Sequence, residues 1–402
     1  MTEAYVLEAV RTPRGKAKDG GGLSAVTPLR LLEILLSALV ARTGLDPATV
    51  DDVVIGCASQ VGDQGGGLAR TAVLAAGWPP SVPGMTVNRY CASGIDAVAV
   101  AASLIRSGQA SLVVAGGVES VSRVPLFADR GPLWCDAALV ERIGSVHMGI
   151  AADVVATEDG YARDELDVYG LRSQRRAAAA WRNGHFDRSL VPVLGDDGEV
   201  LLAYDEHVRP DLSEASVAAL EPAFAALGAA GQDELVLRHL PGLGAVRHLH
   251  TRATSPSMAD GAGLLLLGSA RAAERLGLAP RARVLSSASA GGHPVRMLVA
   301  GQHAAGTALD RAGVRPDQLD VVEFAEAFAA LCLKLQREFG LDDEVLNPNG
   351  GTIAMGHAFG ATGAILTAGC VDELERRGGR YGVAAVSGAA GSGAALVLER
   401  VL

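Results

Sequence analysis

Short apolar runs bounded by glycine or acidic residues recur in the same order in both halves of the chain. Residues 51–56 (Asp51-Asp52-Val53-Val54-Ile55-Gly56) predict a buried strand. A glycine-flanked turn at Cys91 opens an apolar, small-residue helix reaching about Gly108, and residues 111–117 predict the strand after it. The second half repeats this order. Residues 319–324 predict a strand, a turn at His357 opens a helix to about Arg377, and residues 383–388 predict the strand that follows. Two similar βαβ-type halves are expected, with Cys91 and His357 at equivalent points, each at a helix N-terminus.

Between the halves the pattern changes. Residues 122–250 carry the charge-dense helical stretches, including one that starts at Asp164-Glu165 and runs through Arg172, Arg175 and Arg176 to Trp181. This predicts an inserted cap. Its basic helix face and the segment Tyr204-Asp205-Glu206-His207-Val208-Arg209-Pro210 are candidates to hold a phosphorylated ligand, beside the plainer reading of a solvated helix face. The expected units are residues 1–121, 122–251 and 252–402.

Composition narrows the class. A chain of 402 residues, 49% hydrophobic, buries two or three cores. Only 4% of the residues are aromatic while 50 are glycine, a mix suited to closely packed α/β layers. A formal charge of −10, with basic residues scattered, disfavours nucleic-acid binding. The first residues lack the basic start and long apolar core of an export signal, and no apolar run approaches the roughly 20 residues that span a bilayer, so a cytoplasmic protein without membrane insertion is expected. Cys57, Cys91, Cys135, Cys332 and Cys370 are odd in number and form no CxxC pair, which supports neither a disulfide framework nor a metal site.

The turns carry the chemistry. A helix N-terminus presents unpaired N–H groups and positive potential that favour a thiolate or an oxyanion. Cys91 is therefore the candidate nucleophile and His357 its candidate base, with Gly94, Gly356, Gly360 and Gly363 allowing close backbone approach. The other cysteines read as packing or incidental surface residues.

The segments Ala9-Val10-Arg11-Thr12-Pro13-Arg14-Gly15-Lys16, Asn88-Arg89-Tyr90-Cys91-Ala92-Ser93-Gly94, Ala115-Gly116-Gly117-Val118-Glu119-Ser120, His147-Met148-Gly149 and Asn349-Gly350-Gly351-Thr352-Ile353-Ala354-Met355-Gly356-His357 carry a resemblance. The chain resembles the thiolase family over essentially its whole length. The resemblance implies a five-layered α/β/α/β/α fold of two duplicated halves, an inserted loop domain that binds coenzyme A, and a homodimer or homotetramer. It implies a CoA thioester as substrate, with no tightly bound cofactor and no metal. It gives Cys91 the role of taking an acyl group and His357 that of abstracting its proton. The backbone amides of Cys91 and Ala389 would form an oxyanion hole, each donor worth about 3–4 kcal/mol. His147, Met148 and Ser257 would line the acyl and CoA channel, with Phe328 packed beside it.

Several positions depart from the family pattern. Ala325 stands where an Asn or His holds a water near the thioester enolate, and Ser387 stands where a second cysteine shuttles a proton. A serine hydroxyl is a poor proton shuttle near neutral pH, so Ser387 reads as a small residue filling its place. Pro256 replaces a serine that contacts CoA, and Ala358 replaces the usual proline after the histidine. Glu326 reads as a structural carboxylate that, with Ala325 opening space, is also a possible base. The function expected is a divergent thiolase-like acyltransferase working through acyl-Cys91 by a ping-pong route, with Claisen-type carbon–carbon chemistry and an altered enolate site. Acyl transfer to an oxygen, nitrogen or sulfur acceptor or to water is one alternative. A non-catalytic binding subunit is another, against which the retention of both Cys91 and His357 argues.

Overall fold

The computed structural model describes residues 2–401. Its strands form two arrays of one design. In the first, Met85–Val87, Asp52–Gly56 and Leu112–Ser120 run parallel, and Ala259–Gly268 and then Tyr5–Arg11 extend the array in antiparallel steps. In the second, Leu319–Phe324 and Tyr381–Gly388 run parallel, and Ser392–Arg400 and Ala282–Gly291 extend it in the same antiparallel way. A single bridge from Val322 to Leu346 stands where Met85–Val87 stands in the first array. The arrays meet edge to edge where Tyr5 and Val6 pair with Arg283 and Ala282.

Most buried apolar side chains sort into three large cores on either side of these sheets. The helix Pro28–Thr43 turns Leu31, Leu32, Leu35, Leu36 and Leu39 onto Val53, Ile55, Leu264 and Leu266, covering the outer face of the first sheet. Its ends are set by its own sequence: the Thr27 side chain accepts from the Arg30 amide, Pro28 occupies the first turn, and Gly44 closes the helix in the left-handed conformation. Helices Ala300–Ala312 and Ala329–Phe339 cover the outer face of the second sheet. Between the sheets lie Ser93–Arg106 and Phe359–Arg377, the helices that follow Cys91 and His357. They cross at glycine because nothing larger fits: a Cβ on Gly94 would lie 2.7 Å from the Gly360 carbonyl oxygen, and one on Gly363 would lie 2.4 Å from the Ile95 amide. The result is the five-layered α/β/α/β/α arrangement.

The inserted segment packs on the second half, where Ile150, Tyr169 and Leu235 share a core with Phe324 and Phe328. Two expectations change here. Ala259–Gly268 pairs with Tyr5–Arg11 and Leu112–Ser120, so this stretch belongs to the first sheet, and the second half begins at the strand Ala282–Gly291 rather than at residue 252. The basic helix Arg163–Arg182 is occupied internally: Arg172 pairs with Asp343, Arg175 with Glu214, and Arg176 donates to the Leu346 carbonyl. The 204–210 segment is likewise committed to the body of the protein. Asp205 takes the guanidinium groups of Arg11 and Arg14, and Glu206 accepts from the Lys16 and Gly22 amides. Among the described residues, no helix is long and apolar enough to cross a membrane.

Candidate active site

The turn before Cys91 is built from its own side chains. The Asn88 carboxamide accepts from the Tyr90 amide at 2.8 Å and donates to the Ala58 carbonyl at 3.0 Å. The Ser93 hydroxyl accepts from the Arg89 amide and donates to the Tyr90 carbonyl. These bonds hold Tyr90 at φ 49°, a strained conformation for a bulky residue, and deliver Cys91 just ahead of the helix Ser93–Arg106.

The turn before that second helix is held from outside instead. The His357 amide donates to the Ser257 carbonyl at 2.8 Å, its carbonyl accepts from the Ala259 amide, and the Gly356 carbonyl accepts from Arg14 at 3.3 Å. Gly356 has φ 95°, and a Cβ there would strike Ala259 and His207. The Gly360 amide donates to the buried carboxyl of Glu119, which also gathers the Ala58 and Ser59 amides and the Gln64 side chain. Glu119 thus ties the histidine helix to the loop beside Cys91.

Cys91 opens onto a narrow cleft walled by Tyr90, Phe127, Trp134, Met148 and Phe359, with Ala389 beside it and Asp129 exposed at the rim. The His357 ring meets Phe359 edge-on at 5.1 Å, and Phe359 is itself part of the wall of the Cys91 cleft. The His357 Nδ1 lies 2.8 Å from the Thr362 hydroxyl one turn into the helix. Burial, with Arg14 adding to it, lowers the imidazole to about 3. Burial, with Glu119 adding, raises the Cys91 thiol to about 12. The resting pair is a neutral thiol and a neutral imidazole.

Other residues singled out in the sequence have clear places. His147 caps the helix Met148–Glu158, its Nδ1 accepting from the Gly149 amide, and burial lowers its pKa. It lies 5.5 Å from Phe224, which meets Phe328 edge-on at 5.7 Å. Pro256 and Ser257 are half-buried on the segment that the His357 turn pairs with. Ala325 is fully buried, in one core with Cys91 and Phe359. The Ser387 hydroxyl donates to the Leu298 carbonyl at 2.5 Å and accepts from the Gly301 amide at 3.0 Å, fastening the start of the helix Ala300–Ala312 to its strand. Glu326 accepts from Tyr169, Ser173, Asn347 and the Ile353 amide, four donors that match the capacity of its two oxygens. Burial raises its pKa, and this saturation leaves it no lone pair for the base role open in sequence.

Three contributors escaped sequence reasoning. Thr362 carries a usable signal, since it sits five residues after His357 on the same helix. Glu119 lies inside a quoted motif, but nothing local marks its partner Gly360. Arg14 reaches the Gly356 carbonyl across 342 residues of sequence, and no spacing reveals that.

Comparison with known proteins agrees with this architecture. The family model for the thiolase N-terminal domain matches residues 4–232, and that for the thiolase C-terminal domain matches residues 278–400. A β-ketoadipyl-CoA thiolase of Pseudomonas aeruginosa is 39% identical over 420 residues, covering 99% of each chain. A steroid 3-ketoacyl-CoA thiolase of Mycobacterium tuberculosis is 37% identical over 412 residues, covering 100% of this chain and 95% of the relative. The crystal structure of an acetyl-CoA acetyltransferase from Bacillus anthracis superposes with a TM-score of 0.86 at 33% identity, covering 100% of this chain and 99% of that one.

Proposed function

The chain belongs to the thiolase family and is an acyltransferase that works on CoA thioesters; within that chemistry we propose that it makes or breaks the carbon–carbon bond beside a thioester carbonyl in two stages, through an acyl group held on Cys91. The observation that carries this reading is the cleft shared by Cys91 and Ala389, whose Phe359 wall also touches the His357 ring.

In the first stage the neutral His357 takes the thiol proton as sulfur attacks the acyl carbonyl. Its Nδ1 lies 2.8 Å from the Thr362 hydroxyl, and the tautomer that donates there leaves the Nε2 lone pair to act as the base. Because burial holds the thiol near 12 and the imidazole near 3, proton transfer accompanies attack instead of preceding it. Negative charge on the carbonyl oxygen falls to the backbone amides of Cys91 and Ala389. Collapse expels CoA thiolate in the direction of synthesis, or the enolate of the shorter acyl-CoA in the direction of cleavage, and the leaving group recovers the proton. In the second stage a carbon nucleophile, or the thiol of CoA for cleavage, takes the acyl group and restores Cys91.

The enolate side departs from the family pattern. Ala325 offers no polar atom in its side chain, and both hydrogen-bonding directions of the Ser387 hydroxyl are taken by the backbone at Leu298 and Gly301. This supports a carbon nucleophile that is intrinsically acidic or is generated by decarboxylation, since either needs less help with the α-proton. Steady-state turnover tests the assignment. Cys91→Ala abolishes it and His357→Ala lowers it by about 100-fold or more. Near-normal turnover in either variant contradicts the roles given. Ala325→Asn combined with Ser387→Cys raises acetoacetyl-CoA cleavage if those positions limit it, and an unchanged rate in the folded double variant removes that part of the account.

A further inference from the structure

The wall of the Cys91 cleft bears on which acyl group enters it. Tyr90, Phe127, Trp134, Met148 and Phe359 present apolar and aromatic surface, and Trp134 holds this wall together, edge-on to Tyr90 at 5.9 Å and tilted against Phe127 at 4.6 Å. Tyr90 at φ 49° and Phe127 at φ 69° both adopt left-handed backbone conformations, a cost that a surrounding structure must over-determine. Among the described residues that line the cleft, Asp129 alone is charged. Of the nearby arginines, Arg89 pairs with Asp96 and Arg123 with Asp63, while the exposed Arg130 is not among the residues that line the cleft. The Asp129 charge is felt in the cleft, since together with burial it raises the Tyr90 phenol.

Resting on the reading of Cys91 as the acyl carrier, we propose that this cleft accepts an uncharged, apolar acyl group and turns away one that ends in a carboxylate, with Asp129 setting the choice. The relatives do not decide the matter. A β-ketoadipyl thioester carries a terminal carboxylate, and the relatives named for it and for steroid 3-ketoacyl thioesters are 39% and 37% identical to this chain, too even to rank its acyl group. The wall separates acyl groups with that carboxylate from those without it. A terminal carboxylate on the acyl chain would meet apolar rings and a like charge, with no cation among the lining residues to receive it.

Butyryl-CoA and succinyl-CoA test this directly, because their acyl chains are four carbons long and differ in a terminal methyl against a terminal carboxylate. Acylation of Cys91 is timed by rapid quench and intact-protein mass in the full chain, in Asp129→Asn and in Asp129→Lys. Asn is chosen because its side-chain oxygen still accepts from the Gly131 amide, as Asp129 does at 3.2 Å. The native protein loads butyryl about tenfold or more faster than succinyl, Asp129→Asn narrows that ratio severalfold, and Asp129→Lys narrows it further. Equal loading of the two donors on Cys91, or a ratio that neither substitution moves, overturns the charge selection and leaves the nucleophile standing. No adduct on Cys91 from either donor overturns both.

Discussion

The two halves share a strand order and place a helix at the same point in the middle layer, yet their turns are held differently. The Cys91 turn is fixed largely by Asn88 and Ser93, side chains within a few residues of it. The His357 turn is fixed by Arg14, the Ser257 carbonyl and Glu119, all distant in sequence. The buried carboxylates differ in the same sense. Glu119 reaches across from the first half to the histidine helix, whereas Glu326 fastens the inserted segment through Tyr169 and Ser173. One half thus carries a locally encoded nucleophile, and the other carries a base whose position depends on the whole molecule.

The largest loss follows from cutting the long-range supports of the histidine turn. Asp205 is fully buried between Arg11 and Arg14; burial alone would raise its carboxyl, but the two guanidinium groups hold it at about 2. Asp205→Asn leaves two buried cations short of their partner, and a loss of about 3–5 kcal/mol is expected in denaturant unfolding. The sign with pH follows from the depressed value. This contribution is complete above the unfolded carboxyl's value of about 3.9 and is lost as pH falls through about 2. A native protein no more stable than the variant at pH about 6 contradicts the assignment.

Glu119→Gln comes next. An amide NH₂ would face backbone donors, and turnover is expected to fall about 100-fold, against a smaller fall for Glu326→Gln at a similar cost in stability of about 2–3 kcal/mol. A merely structural Glu119 would not move a second readout. Because its charge adds to burial in raising the Cys91 thiol, alkylation of Cys91 in Glu119→Gln should begin at lower pH than in the native protein. In the native protein the alkylation rate should still be rising above about pH 9, and a plateau below about pH 7 would show a resting thiolate instead. Equal activity losses in the two glutamate variants would erase the distinction drawn between the halves.

The smallest effect belongs to the local turn. Asn88→Ala removes bonds to the Tyr90 amide and the Ala58 carbonyl and should cost about 1 kcal/mol, with alkylation of Cys91 accelerated as the turn loosens. An Asn88→Ala loss that exceeds the Asp205→Asn loss would reverse the comparison.

This contrast also explains what the sequence disclosed. The duplicated strand–turn–helix–strand order was readable because period and glycine placement are local, and the Cys91 motif contains nearly all of its own support. The supports of His357 were not readable, because Arg14, Ser257 and Glu119 come from three separate segments that only folding brings together. The boundary at residue 252 failed for a related reason. Nothing in the apolar run 259–268 says which of two similar sheets it will join, and its pairing with Leu112–Ser120 puts it in the first. The arginines of the helix Arg163–Arg182 left a ligand face open beside the plainer solvated one because sequence shows charge but not its partners Asp343 and Glu214.

Intact-protein mass after mixing with a panel of acyl-CoAs shows whether Cys91 carries the acyl group. One acyl adduct per chain is expected in the native protein and none in Cys91→Ala. An adduct that survives in Cys91→Ala, or no adduct from any donor in folded native protein, would contradict it.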